Sequence, residues 1–270
     1  MKILITGGSS YIGKAIISTF KDFYFYALLN ENPIIQSPNV KSFTDNELKA
    51  CFKNNDIDLI IHLASFSYRD DDEKYSEKIY DTNYYLGKKL IEYSENTGVK
   101  KFINMGSYSQ IVFKDPPNLY TETKNLFLDY LKENVNSFEA GVTNLYLGDL
   151  YGPHDSRNKL IPFLLKNENK KIISFNSNGE GAFAPIHIQD TLEVFKEEIS
   201  FDYNCSFSNR ILCPKVENVK SFVNKYKKFR NKNFSEIYLD SENIYSSFMQ
   251  PKSQDYVMKV SIEKGLSKLL

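Results

Sequence analysis

Two rhythms of apolar residues run through the first half of the chain. Short unbroken runs have the length of strands buried on both faces: Lys2-Ile3-Leu4-Ile5, Phe23 to Leu29, Leu59-Ile60-Ile61-His62-Leu63-Ala64, Lys101-Phe102-Ile103-Asn104-Met105 and Ala140 to Leu147. Between them apolar positions recur every three or four residues, at Ile12, Ile16, Ile17 and Phe20, at Leu86, Leu90 and Tyr93, and at Phe127, Leu128 and Leu131 behind Tyr120 and Lys124. That spacing predicts helices with one buried face. Alternating strands and helices predict an α/β fold, a Rossmann-like doubly wound parallel sheet. Beyond Pro153 the alternation weakens into polar loops at 167–171 and 176–181 and a Lys-rich stretch at 225–232. A smaller C-terminal subdomain over residues 156–270 is therefore expected to cap a sheet domain of residues 1–155, with about 182–215 returning to the sheet.

The punctuation between the first strand and helix is chemically specific. Thr6-Gly7-Gly8-Ser9-Ser10-Tyr11-Ile12-Gly13 puts Gly7 and Gly13 in the first and third places of a turn through which backbone approaches a pyrophosphate at a helix N-terminus. Ser10 holds the middle place, so this turn must accommodate a side chain. Glu31 follows Gly13 by 18 residues, near the end of the second strand, where a carboxylate accepts hydrogen bonds from a ribose diol and repels a 2′-phosphate. That leans toward NAD, with Asn30 as the other candidate for the contact.

Midway along, Tyr120-Thr121-Glu122-Thr123-Lys124 places a phenol and an ammonium four positions apart, on one side of a helix. A phenol is a poor acid near neutrality, and a neighbouring ammonium is expected to draw its pKa down. Ser107, at the end of the preceding strand, is placed to hydrogen-bond the same carbonyl oxygen. Dinucleotide cradle and tuned phenol together predict a nicotinamide-dependent oxidoreductase.

Composition narrows the partners. In 270 residues there are 34 basic and 34 acidic side chains with no clustered basic stripe, so nucleic acid is not expected and a small substrate is. The opening apolar run is too short for a signal peptide or a membrane span, which predicts a cytoplasmic protein without membrane contact. Cys51, Cys205 and Cys213 lack metal-ligand spacing and read as packing residues, and no metal is expected. His62, His154 and His187 are read as structural or, for His62, cofactor-adjacent residues.

With these residues in hand, the chain resembles the extended short-chain dehydrogenase/reductase family, also called the NAD-dependent epimerase/dehydratase family, over nearly its whole length. Asp58 to Ala64 resembles that family's strand beneath the cofactor, and Asn83 the head of its central helix. Leu150-Tyr151-Gly152-Pro153-His154-Asp155 with Lys159-Leu160-Ile161-Pro162 is similar to its nucleotide-diphosphate segment. Ile186 to Asp190 and Ser261 to Leu266 are similar to its late signatures.

The resemblance implies that Tyr120 is the general acid/base, that Lys124 holds the nicotinamide ribose and tunes Tyr120, and that Ser107 orients the carbonyl. It implies cofactor contacts from Gly7, Ser9, Ser10, Tyr11, Ile12, Gly13, Glu31, Leu63, Ala64 and Lys124. Substrate contacts would come from Ser65, Ser107, Tyr120, Asp149, Arg157 and Lys159, the last two neutralising a diphosphate. Tyr146 and Asp149 stand where the family usually carries Arg and Asn, and Phe183-Ala184 replaces a frequent Arg-Asp pair.

Family dehydratases follow the catalytic hydroxyl with Asp-Glu, whereas Ser107 is followed by Tyr108-Ser109-Gln110, and no cysteine lies there to suggest ring-carbon deprotonation. The short chain most resembles the compact 4-ketoreductases, such as CDP-abequose and CDP-paratose synthases. This implies an NAD(P)-dependent reductase of a nucleotide-linked 4-keto-6-deoxysugar that serves surface polysaccharide synthesis. Glu31 leans to NAD and the ketoreductase resemblance to NADPH. The alternatives are an NDP-sugar 4-epimerase retaining NAD and a non-catalytic dinucleotide sensor. The helices after Asn83 and Tyr120 resemble the pair through which the family forms homodimers.

Overall fold

The computed structural model describes residues 1–29, 36–68, 73–135, 140–200, 206–239, 245–251 and 256–269. Glu31, Asn30, Cys205 and residues 69–72 lie outside them. Seven parallel strands form the central sheet: β1 (Lys2–Thr6), β2 (Tyr24–Leu28), β3 (Val40–Phe43), β4 (Leu59–His62), β5 (Lys101–Ser107), β6 (Gly141–Leu147) and β11 (Phe207–Leu212). Their spatial order is β3-β2-β1-β4-β5-β6-β11. The chain moves outward from β1 to β3, then crosses back to β4. A crevice therefore opens between β1 and β4 at the carboxyl ends of the strands, the place where such sheets receive ligands.

Two apolar layers sandwich the sheet. On one face α1 (Tyr11–Thr19) and α8 (Ile188–Ser200) cover a core that includes Ile3, Ile5, Ile61, Ile103 and Leu145. On the other, α2 (Leu48–Asn54), α4 (Leu86–Ser94) and α6 (Leu119–Asn134) cover Leu4, Ile60, Phe102 and Val142. Each large apolar side chain removed from water contributes roughly 1.5–3 kcal/mol. The two buried faces explain why the central strands read as unbroken apolar runs.

The helix before α4 departs from expectation. Asn83 does not head it: α3 (Ser76–Tyr80) already runs into a π-turn at Asp81–Tyr85, and Asn83 sits buried inside that turn. The wider turn aims its amide at the loop after β4. At the outer side of this helix pair Tyr85 and Leu126 are exposed.

After β6 the chain leaves the sheet. β7 (Asp149–Tyr151) pairs with β10 (Pro185–His187), β8 (Ile172–Phe175) with β13 (Ser235–Tyr238), and β9 (Ala182–Phe183) with β12 (Glu217–Asn218). With α5 (Ser109–Val112), α7 (Leu160–Asn167), α9 (Val219–Arg230) and α10 (Ile262–Ser267) they complete the molecule. A separate core of Tyr151, Leu164, Phe175, Phe222 and Tyr226 holds this region. The Lys-rich stretch is the last two turns of α9 and the residues after it. Its apolar side is Phe222, Val223 and Tyr226, and Lys227, Lys228 and Arg230 meet the negative end of the helix. Among the described residues no helix is long and apolar enough to cross a membrane.

Candidate active site

Three neighbouring strands end at the crevice, with Thr6 closing β1, His62 closing β4 and Ser107 closing β5. The glycine turn leaves β1 there under tight steric control. Gly7 has a φ of +67°, and a Cβ on it would stand 2.9 Å from the Ala64 nitrogen. At Gly13 a Cβ would stand 2.4 Å from the Gly7 carbonyl oxygen. Turn, helix and the end of β4 thus meet through bare backbone.

Ser10 resolves the missing middle glycine. It has ordinary extended backbone and is the N-cap of α1, its hydroxyl accepting from the Gly13 amide at 3.1 Å. The side chain folds back onto the helix. Ser9 is half-buried beside it, Ile12 is buried, and buried Leu63 with half-buried Ala64 forms the opposite wall. A turn packed this tightly through backbone, at the amide end of a nine-residue helix, fits a dinucleotide pyrophosphate.

Tyr11 faces elsewhere. Its hydroxyl donates to the Pro153 carbonyl at 2.9 Å, and the Arg157 guanidinium lies 4.8 Å from its ring centroid. Burial and Asp155 push this phenol up to about 12, against the pull of Arg157. Tyr11 therefore ties the glycine turn to the loop after β7.

The catalytic pair is set by the start of α6. Asn118, behind Pro116-Pro117, caps the helix by accepting from the Thr121 amide at 2.9 Å, so Tyr120 falls in the first turn and Lys124 one turn later. Asn83 braces this turn from the side. Its amide donates to Thr123 Oγ1 at 3.1 Å and exchanges hydrogen bonds of 2.8 and 2.9 Å with the Phe66 backbone, holding the Ser65–Phe66 loop against α6. Gln110 accepts from the Ser107 amide at 2.8 Å, and Ser107 Oγ lies 2.9 Å from Ser109 Oγ.

Electrostatics around the phenol correct one expectation. Burial raises the pKa of Tyr120; the Ser107 and Ser65 hydroxyls pull it down, and Asp149 adds to the rise. Lys124 lies one turn further along the same helix. Its ammonium donates to the Met105 carbonyl at 2.9 Å, and burial brings its own pKa down to about 8. The two groups lie on one side of the helix, as their spacing predicts, but burial and hydroxyls govern the phenol.

Ser65, Ser107 and Asp149 thus converge on Tyr120. Asp149 accepts from the Ala184 amide at 2.8 Å, so two departures from the family pattern, Asp149 and Ala184, are partners. Burial raises the Asp149 carboxyl, opposed by that amide, by Tyr108 and by Lys159 and Arg157. Lys159 is exposed at the N-cap of α7. Arg157 is more constrained: it grips Asp155 through two hydrogen bonds of 2.8 and 2.9 Å and donates to the Leu150 carbonyl at 2.6 Å. Among the histidines, His62 is fully buried, His154 is exposed with φ +60°, and His187 accepts from the Gln189 amide against the Tyr151 ring.

The supporting residues Asn83, Tyr108, Gln110 and Asn118 were not picked out as parts of the site. Only Asn118 carried a local signal, an Asn after Pro-Pro before an apolar pattern.

Residues 3–197 match the NAD dependent epimerase/dehydratase family. The CDP-abequose synthase of Yersinia pseudotuberculosis is 26% identical over 251 residues, covering 87% of each chain. The dTDP-D-glucose 4,6-dehydratase of Dictyostelium discoideum is 25% identical, covering 81% of this chain and 62% of its own. Among solved structures, the UDP-glucuronic acid 4-epimerase of Bacillus cereus, in complex with UDP-glucuronic acid and NAD, superposes with a TM-score of 0.81 at 17% identity, over 99% of this chain and 97% of its own.

Proposed function

The chain belongs to the NAD dependent epimerase/dehydratase family, and from that premise we propose that it is a reductase of a nucleotide-diphosphate-linked 4-keto-6-deoxysugar. A reduced nicotinamide dinucleotide held by the glycine turn would supply the hydride that the keto carbon takes. Tyr120 gives its proton to the keto oxygen, and Ser107 donates a hydrogen bond to the same atom as charge develops there. Burial disfavours the phenolate, so Tyr120 stands ready as the acid. Lys124, buried one turn after Tyr120, supplies a positive charge there, and its ribose contact is part of the same proposal. The Lys159 ammonium meets the diphosphate from the exposed start of α7, and Arg157, held by Asp155, shapes the loop around it. Glycine turn, Leu63 and Ala64 hold the dinucleotide.

One observation carries the choice of reaction. Ser107 is surrounded by hydroxyl and amide groups, Ser109 Oγ at 2.9 Å and the Gln110 carbonyl oxygen on its backbone, where an elimination would need an acid and a base. The set is built to polarise one carbonyl. Similarity to a CDP-abequose synthase over 87% of both chains agrees with that reading.

The test is consumption of NADH and of NADPH by purified protein with CDP-, dTDP- and GDP-linked 4-keto-6-deoxysugars. Stoichiometric oxidation that is lost in Tyr120→Phe is the expected result. No net oxidation, with NAD retained through purification, would replace the reductase by a 4-epimerase in which Tyr120 takes and returns the proton.

A further inference from the structure

The two oxygens that are to meet one carbonyl come from different elements. Ser107 ends β5 and Tyr120 lies in the first turn of α6, with α5 and Pro116-Pro117 between them in the chain. Sheet register places the first and helix capping the second, so neither fixes the distance from one to the other. A reacting group misplaced by about 1 Å costs up to roughly a hundredfold in rate. Whatever ties Ser107 to α6 therefore bears on the chemistry.

Two struts make that tie. The first is built of hydroxyls: Ser107 Oγ lies 2.9 Å from Ser109 Oγ, and Thr121 Oγ1 lies 3.0 Å from the same Ser109 oxygen. The second is built of amides: Gln110 accepts from the Ser107 amide at 2.8 Å on its carbonyl oxygen and donates through Nε2 to Asn125 Oδ1 at 3.0 Å. One strut holds the side chain of Ser107 and the other its backbone. Thr121 and Asn125 are four positions apart on α6, so they share one stripe of the helix, and Tyr120 and Lys124 share the stripe beside it.

The hydroxyl strut is anchored on the helix side. Buried Thr123 bonds back to its own helix, to the Leu119 and Tyr120 carbonyls at 2.9 and 3.0 Å. Thr121, also buried, turns instead to Ser109 and to the Asn118 cap, whose Oδ1 is 2.9 Å away. Asn118 is held in turn by Tyr245, to whose hydroxyl its amide donates at 2.7 Å. A hydroxyl both gives and takes, so the row from Ser107 to Asn118 is bonded whichever way its protons run. We propose that Ser109, Gln110, Thr121 and Asn125 are positioning residues, two struts that hold Ser107 at a fixed separation from Tyr120 so that both reach one carbonyl oxygen.

The struts stand on the geometry, whereas their effect on rate rests on the function proposed above. The experiment therefore has two arms on the full chain, each a double-mutant cycle. In urea titrations Ser109→Ala and Thr121→Val should each raise the unfolding equilibrium constant. The double variant should fall short of the product of the two by roughly fivefold, because the hydrogen bond they share is lost once rather than twice. Gln110→Leu and Asn125→Leu give the same cycle for the amide strut and serve if Thr121→Val does not fold.

In the second arm, Thr121→Val and Asn125→Leu should each lower kcat for the sugar reduction roughly three- to tenfold with KM unchanged. Made in Ser107→Ala protein, the same changes should cost less than about twofold, because the hydroxyl they hold is gone. Thr121→Ser, which keeps the hydroxyl, should restore the wild-type rate. Losses in urea that multiply in full would overturn the struts. An unchanged kcat, equal losses with and without the Ser107 hydroxyl, or no rescue by Thr121→Ser would overturn the positioning role. Wild-type protein that oxidises neither NADH nor NADPH with any of the sugars, beside the expected coupling in urea, would instead remove the functional reading and leave the struts standing.

Discussion

The two walls of the crevice are built by different physics. On the dinucleotide side, shape comes from backbone contact: Gly13 has room for no Cβ against Gly7, and Gly7 leans bare on Ala64. On the substrate side, shape comes from polar side-chain contacts, Asp149 with the Ala184 amide, Arg157 with Asp155 two residues before it, and, elsewhere in the region after β6, Glu168 with Arg230. A steric wall tolerates no substitution but is indifferent to salt and pH. A wall of ion pairs can be retuned residue by residue, and it answers to both.

Four expected outcomes break or sharpen the contrast, in falling order of size. Tyr120→Phe, in the middle of the cleft, should cut turnover by roughly 10²–10⁴-fold while the thermal midpoint stays within a few degrees, because only the proton donor is lost. Kinetics and a melt on the same preparation check it. Gly13→Ala should cost about 3 kcal/mol or abolish folding, and any folded fraction should fail to bind dinucleotide at every salt concentration, since a Cβ 2.4 Å from a carbonyl oxygen forces backbone to move.

Glu168 tests the charged contacts of the region after β6. Burial alone would raise its carboxyl, but hydrogen bonds from Arg230, Tyr226 and Lys232 outweigh that and hold it down to about 2. Its folded pKa is depressed, so its stabilisation, up to ~3 kcal/mol, is present above the ordinary carboxyl pKa and is lost as pH falls through about 2. Glu168→Gln should remove most of that acid dependence in urea titrations. An unchanged acid limb would show that other carboxylates carry it.

The smallest effect concerns Lys124. Burial holds its pKa at about 8, below its ordinary 10.5. Between those values the unfolded chain binds a proton that the folded chain has released, so this group makes stability rise with pH across that window. Activity should move the other way, since the ammonium beneath Tyr120 is lost. An alkaline limb in kcat/KM near pH 8, beside stability that does not fall, is the expected pair of results. Both falling together would mean that Lys124 is not the group titrating.

The same contrast explains what could be read from the chain. The buried strands were visible because both faces are covered and most of their residues are apolar. β3 was missed because Val40–Phe43 lies at the sheet edge, with only Phe43 fully buried. The glycine turn, Ser107, Tyr120 and Lys124 were legible because local spacing sets them. Asn83 was named from the family resemblance but misplaced at a helix head, because a π-turn inside a helix leaves no periodic trace, and the link between Asp149 and Ala184 joins residues 35 positions apart. The apolar side of α9 was masked by the lysines around it. The rise in the pKa of Tyr120 was not legible because spacing says nothing of the burial that causes it.

The most direct measurement of the central claim follows the hydride. NADH and NADPH deuterated separately on each face of the nicotinamide would be incubated with the protein and a nucleotide-linked 4-keto-6-deoxysugar, and the product sugar examined by mass spectrometry and NMR. A 4-ketoreductase places one deuterium at C4 from one face of one of the two cofactors, with one equivalent of oxidised dinucleotide released. A product without deuterium at C4, or turnover with no oxidised dinucleotide released, would contradict the account.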